Sequence, residues 1–280
     1  MMETRPIIQV NHLFRILDDK LVELLSSLTA DEWNLPTIAK LWTVKDIAAH
    51  LLDTNIRSIA LIRDKYITTP STPIESYTDL VNYLNTLNAD WVNAMRRASP
   101  QVLIGLLQAT GPNFIDAITS LPPLEKAPFG VSWAGEEESY NWFHVAREYT
   151  EKFIHQQQIR DAVGKEGILT HALFHPFIDT FMQGMPHTFR HTVANEGTIV
   201  KITVTTIIGG HWLVERKNDQ WQLGTADADA TVAAHISINP DTAWKLFSKG
   251  ITPQQALAQV TIVGNQALAQ TALGLVAVMA

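Results

Sequence analysis

The feature that most constrains this chain is a change in the spacing of its apolar residues. Up to residue 165 they recur at three- and four-residue steps, the period of a helix with one buried face. Beyond residue 170 stretches of strict alternation appear, the period of a half-buried strand. One layer of one element type cannot satisfy both periods. The sequence therefore predicts a helical part followed by a part that contains a sheet.

In the helical part, Leu13, Leu17, Leu21, Leu24 and Leu28 form one stripe. A second helix is expected to start at Thr43, a good N-cap with Asp46 three residues on, and to run through Ile47, His50, Leu51, Thr54 and Leu61 to Tyr66. Residues 68–73 read as a loop. A third helix covers Tyr77 to Ala98, with Leu80, Leu84, Leu87, Trp91 and Met95 on one face, and Pro100 closes it. Residues 101–120 read as helical with an interruption at Gly111-Pro112. A loop over 121–138, carrying Glu136, Glu137 and Glu138, leads to a long helix from Ser139 to Val163. Gly164 is placed to end that helix.

After one more helix, from Thr170 to Met185, Val200, Ile202 and Val204 alternate with Lys201, Thr203 and Thr205. Turns are expected at Gly209-Gly210 and Asn218-Asp219. Further strands fall at 211–216, 221–223, 231–238 and 260–263. Asn239-Pro240-Asp241 caps a short helix through Phe247, and Gln266 to Met279 forms the last helix. The fold class is α plus α+β. An antiparallel four-helix bundle is expected over 1–165 and a small α+β domain over 166–280.

Composition narrows the chemistry. The chain has no cysteine, which excludes disulfides, thiolate zinc sites, iron–sulfur clusters and a cysteine nucleophile. Any thiol the chemistry uses must arrive on a small molecule. The net charge is −7, without the basic surplus of a nucleic-acid binder, so no nucleic-acid partner is expected. No apolar run reaches the length of a membrane span, and the acidic start lacks the apolar core of a signal peptide. A cytoplasmic protein acting on a small molecule is the expectation; oligomeric state is not legible.

Candidate ligands cluster on the long helix. Glu151 and His155 are four apart, so both leave one face about a turn apart, and His144 and Glu148 lie on the same face. His50, set among Ile47, Ala48, Ala49, Leu51 and Leu52, would supply a third ligand from the second helix. Two histidines and a carboxylate with open positions suit catalytic zinc and other divalent metals. Spacing alone does not choose. A Glu–His pair on a helix is often a surface hydrogen bond, and a histidine among apolar residues is often a core residue. His171 with His175 and His187 with His191 offer the same spacing.

The stretch from Trp42 through Val44, Asp46 and Ile47 to His50 resembles the helix-two motif of the DinB-like superfamily. Glu151 to His155 and on to Ile159 resembles the matching segment of its mycothiol-dependent maleylpyruvate isomerase branch, although Gln157 and Gln158 stand where that branch often has Gln-Asp. The segments 228–232, 239–250 and 260–264 resemble the sterol-carrier-like α+β domain fused to those isomerases. The resemblance implies His50, Glu151 and His155 as ligands of a divalent metal, usually zinc, with a low-molecular-weight thiol as cosubstrate. It implies an isomerase or thiol S-transferase.

Two other readings stay open at this point. One is a hydrolase using metal-bound water. The other is a non-catalytic protein that holds a small ligand or lipid. The metal readings expect the open coordination positions to face a cleft towards the second domain. His144 and Glu148 are candidates to orient a ligand or move a proton, and Arg147 and Arg160 to hold a substrate carboxylate. No general base is singled out.

Overall fold

The computed structural model describes residues 7–70, 73–224 and 231–279. The N-terminal Met1–Pro6, residues 71–72 of the expected loop and residues 228–230 of the resembled C-terminal segment lie outside the described residues. The described chain forms two compact units. One comprises Gln9–Glu125 with Glu151–Ile168, the other Lys126–Thr150 with Leu169–Val278.

The first unit is helical. Its elements are α1 (Leu13–Ser26), α2 (Val44–Ser58), α3 (Tyr77–Met95), α4 (Pro100–Thr119) and the C-terminal half of α5 (Asn141–Val163). The leucine stripe of α1 does what its period requires: Leu13, Leu17, Leu21 and Leu24 are all buried. Leu21 and Leu24 join Val44, Ile47, Ala48, Leu51 and Leu52 of α2, Leu103 and Leu107 of α4 and Ile159 of α5 in one apolar core. Thr43 caps α2 as a reciprocal box. The Asp46 backbone N–H donates to Thr43 Oγ1 (3.3 Å), and the Thr43 N–H donates to Asp46 Oδ2 (3.1 Å). Past Ser58 the backbone widens into a π-turn over Ile59–Arg63, closed by Asp64 N–H donating to the Ile59 carbonyl.

Two expectations for these helices are corrected. Helix α3 stops at Met95 rather than Ala98, and its stripe is only half-buried; Trp91 and Met95 are the members that reach the core. Helix α4 is not interrupted at Gly111-Pro112 but runs through to Thr119. Proline removes one hydrogen bond and crowds a carbonyl. Here Leu103 and Leu107 before it and Phe114, Ala117 and Ile118 after it are all buried, and that packing holds both halves in one helix.

The second unit contains the first half of α5, then α6 (His171–Met182) and α7 (Met185–Phe189). The sheet strands follow: β1 (Ile199–Val204), β2 (Gly210–Lys217), β3 (Gln220–Gly224) and β4 (Ala234–Ile238). They are followed by α8 (Pro240–Phe247), α9 (Pro253–Leu257), β5 (Val260–Gly264) and α10 (Gln266–Leu273). The strand order is β3-β2-β1-β4-β5, with β1 and β4 parallel and all other neighbours antiparallel. Val200, Ile202 and Val204 of β1 and Ala234, Ile236 and Ile238 of β4 are buried, as the alternation requires. Asn218 and Asp219, with φ of 52° and 58°, make the two-residue turn between β2 and β3.

The expected helix from Thr170 to Met185 is split at Gln183-Gly184, and the last helix ends at Leu273, six residues short of Met279, where Gly274 follows. Among the described residues every named strand lies between 199 and 264, so the α plus α+β class stands. Among the same residues no helix is long and apolar enough to cross a membrane.

Candidate metal centre

The capping box at Thr43 fixes where α2 begins, and that places His50 in its second turn. Asp46 also accepts from Arg96 Nε (3.2 Å), and Trp91 Nε1 donates to the Ala49 carbonyl (2.8 Å), so the first half of α2 is tied to Trp91 of α3 and to Arg96 just past its end. The Trp42 ring lies 4.7 Å from the His50 ring, centroid to centroid, and 5.9 Å from that of His155. His50 is 6% exposed, and its buried Nδ1 has no hydrogen-bond partner among the described residues. Burial first, then the charges of His155, Arg57 and Lys152, hold its pKa well below the ordinary imidazole value. The ring is thus neutral and keeps a lone pair free for a cation.

Glu151 and His155 come from α5. His155 Nε2 lies 3.4 Å from Glu151 Oε2, and its ring centroid is 4.6 Å from that of His50 in an edge-on arrangement. One ligating atom from each of His50, Glu151 and His155 lies within 4.8 Å of the others. Among the described residues no other three His, Asp or Glu side chains converge in this way.

The donor set fits a divalent metal. Zinc bonds of about 2.0–2.1 Å in a tetrahedron put neighbouring ligand atoms about 3.3 Å apart. The 3.4 Å between His155 and Glu151 matches that edge. His155 Nδ1 lies 2.9 Å from Gln158 Oε1, an acceptor for a proton on Nδ1, and in that tautomer Nε2, on the Glu151 side, is the ligating nitrogen.

The other residues singled out by spacing behave differently. His144 and Glu148 are buried on the first half of α5, in the second unit, where Glu148 accepts from the neighbouring Arg147. Arg160 spends its guanidinium on backbone carbonyls, of Glu166 at 2.6 Å and Lys20 at 3.1 Å. His171 and His175 stack on each other at 5.0 Å, and His175 stacks on Trp212 at 5.8 Å. Among the described residues neither His171–His175 nor His187–His191 belongs to a three-ligand group. Sequence reasoning missed Lys152, and it marked Gln158 only as a departure from the resembled motif, without its contact to His155.

A fold of this kind has solved counterparts. The structure is similar to that of a mycothiol-dependent maleylpyruvate isomerase, with a TM-score of 0.56, 12% identity and 92% of this chain and 93% of that chain covered. It matches a mutant of that isomerase equally well, with a TM-score of 0.56 and 11% identity over the same shares. A sterol carrier protein 2 like 2 from Aedes aegypti aligns with 34% of this chain and 93% of its own, with 14% identity and a TM-score of 0.27. No curated protein matches the chain by sequence. The model of the mycothiol maleylpyruvate isomerase N-terminal domain matches residues 14–160, more than half of the chain and the segment that carries all three converging side chains. The chain belongs to that family.

Proposed function

We propose that this protein is a divalent-metal enzyme that uses a low-molecular-weight thiol to isomerise a small molecule with an activated double bond, as a maleylpyruvate isomerase does. The observation that carries the reading is the convergence of His50, Glu151 and His155 inside the family's own domain. Zinc is the metal the donor set suits best. Bound there, the cation would supply one thing, a lowered thiol pKa that keeps thiolate available at neutral pH.

The chain's own residues do the rest. His50 offers a neutral ring against Trp42, and His155 offers Nε2, with Gln158 Oε1 placed to accept a proton from Nδ1. Glu151 brings a negative charge that offsets part of the cation's. With three protein ligands, positions remain for an exogenous group; a fourth would close the site. The absence of cysteine supports a thiol that comes from outside the chain. Addition of that thiolate to the double bond, rotation about the resulting single bond and expulsion of the thiolate give the other geometric isomer. A soluble cytoplasmic setting with no nucleic-acid or membrane partner accords with this chemistry.

The test is a reaction of the zinc-loaded protein with maleylpyruvate in the presence of mycothiol. Conversion should require both metal and thiol and should be lost in His50→Ala. Turnover independent of any thiol would refute the reading and favour metal-bound water as the nucleophile.

A further inference from the structure

We propose that Lys152 is a positioning residue that fixes the register of α5 against α2 and so sets the gap between His50 and the Glu151–His155 pair; this rests on the metal reading above. Lys152 follows Glu151 on α5. Its Nζ donates to the Leu51 carbonyl (3.1 Å) and to Asn55 Oδ1 (2.6 Å), and Leu51 follows His50 on α2. The contact therefore sits one residue away from a ligand on each helix. Asn55 is 1% exposed, and its Nδ2 donates to Thr110 Oγ1 of α4 at 3.0 Å. Thr110 in turn donates to the Leu106 carbonyl at 2.8 Å, so the acceptor that holds Lys152 is itself anchored. The ammonium also lies 4.4 Å from the centre of the Phe114 ring, a cation–π contact, and its charge acts on the carboxylates of Asp18 and Asp53.

A shift between helices matters at this scale. A helix rises about 1.5 Å per residue. Metal–ligand distances tolerate only about 0.2 Å. A slip of α5 along α2 by less than one residue would pull Glu151 and His155 out of reach of a cation held by His50. A half-buried lysine whose ammonium engages two oxygens of α2 resists that slip.

Two roles for Lys152 predict opposite signs. If it acted only through its charge, it would repel a dication, and Lys152→Met would tighten metal binding. If it acts as a pin, the same substitution removes the pin and weakens binding. The experiment measures zinc affinity by chelator competition and the ligand-field spectrum of the cobalt(II) form. The full-length wild type is compared with Lys152→Met, Lys152→Arg and Asn55→Ala, with folding checked by circular dichroism.

We expect Lys152→Met to lose about tenfold or more in zinc affinity and to change the cobalt spectrum, in line with losses of outer contacts at other metal sites. Asn55→Ala, which keeps the charge, should move both readouts the same way, and Lys152→Arg should recover part of the loss. Zinc binding by Lys152→Met as tight as or tighter than wild type, with an unchanged cobalt spectrum, overturns the proposal while leaving the metal reading intact. If Lys152→Met does not fold, Asn55→Ala decides by the same two readouts. A wild type that binds no zinc removes the metal reading and the proposal together.

Discussion

His144 should make the protein lose stability in acid by an amount that can be worked out. The side chain is 3% exposed, its Nδ1 has no hydrogen-bond partner among the described residues, and burial, then the nearby Arg147 charge, opposed by Glu148, pulls its pKa from 6.5 down to about 4. In the unfolded chain the ring titrates at its ordinary value. Between the two values the unfolded state holds a proton that the folded state does not, so stability falls as the pH falls. The contribution is whole above pH 6.5, declines by about 1.4 kcal/mol per pH unit below it and flattens near pH 4. The total is about 3 kcal/mol, a large share of a typical domain's stability.

The assay is urea unfolding of wild type and His144→Gln at a series of pH values. Glutamine does not titrate, and its packing penalty is the same at every pH, so the difference in slope isolates the histidine. The wild type should lose about 3 kcal/mol more than the variant between pH 7 and pH 4. Parallel curves would refute the argument, because they would mean that the ring stays solvated or finds a proton acceptor in the folded state.

Other outcomes follow from the same structure. Gln158→Leu should leave the fold intact and weaken zinc binding by about tenfold to a hundredfold, measured by chelator competition, because the His155 ring loses the partner that fixes its tautomer. Thr43→Ala should lower stability by about 1 kcal/mol, read from the urea midpoint, since it removes one half of the α2 capping box. Gly264→Ala should destabilise the sheet unit by about 2 kcal/mol by the same measure: its φ is +89°, and an added Cβ would sit 2.4 Å from the Ala233 carbonyl oxygen.

The helices and turns that could be read from the residues are those with a local cause. Thr43 with Asp46, Asn239 before Pro240, and the Asn218-Asp219 pair each set their own backbone, and the structure keeps them where the residues place them. Pro112 misled because the burial of Phe114, Ala117 and Ile118 outweighs its local preference, and that burial depends on α1 and α2. The Glu151–His155 pair was legible as a spacing. The same spacing at His171 and His175 gives two stacked rings, because side-chain rotation rather than sequence distance decides between stacking and chelation. His50 lies a hundred residues from Glu151, so no periodicity joins them; the family motif did. The contacts of Lys152 and Gln158 were not legible, because they are set by how α2 and α5 pack and by which rotamer His155 adopts.

The central claim is that His50, Glu151 and His155 hold one metal ion together. The direct measurement is zinc content and affinity of the purified protein and of His50→Ala, Glu151→Ala and His155→Ala, by elemental analysis and chelator competition. The account predicts one zinc per wild-type chain and loss of retained metal in each variant, with the helical circular dichroism signal preserved. Full zinc content in His155→Ala, or a wild type that takes up no divalent metal, would contradict it.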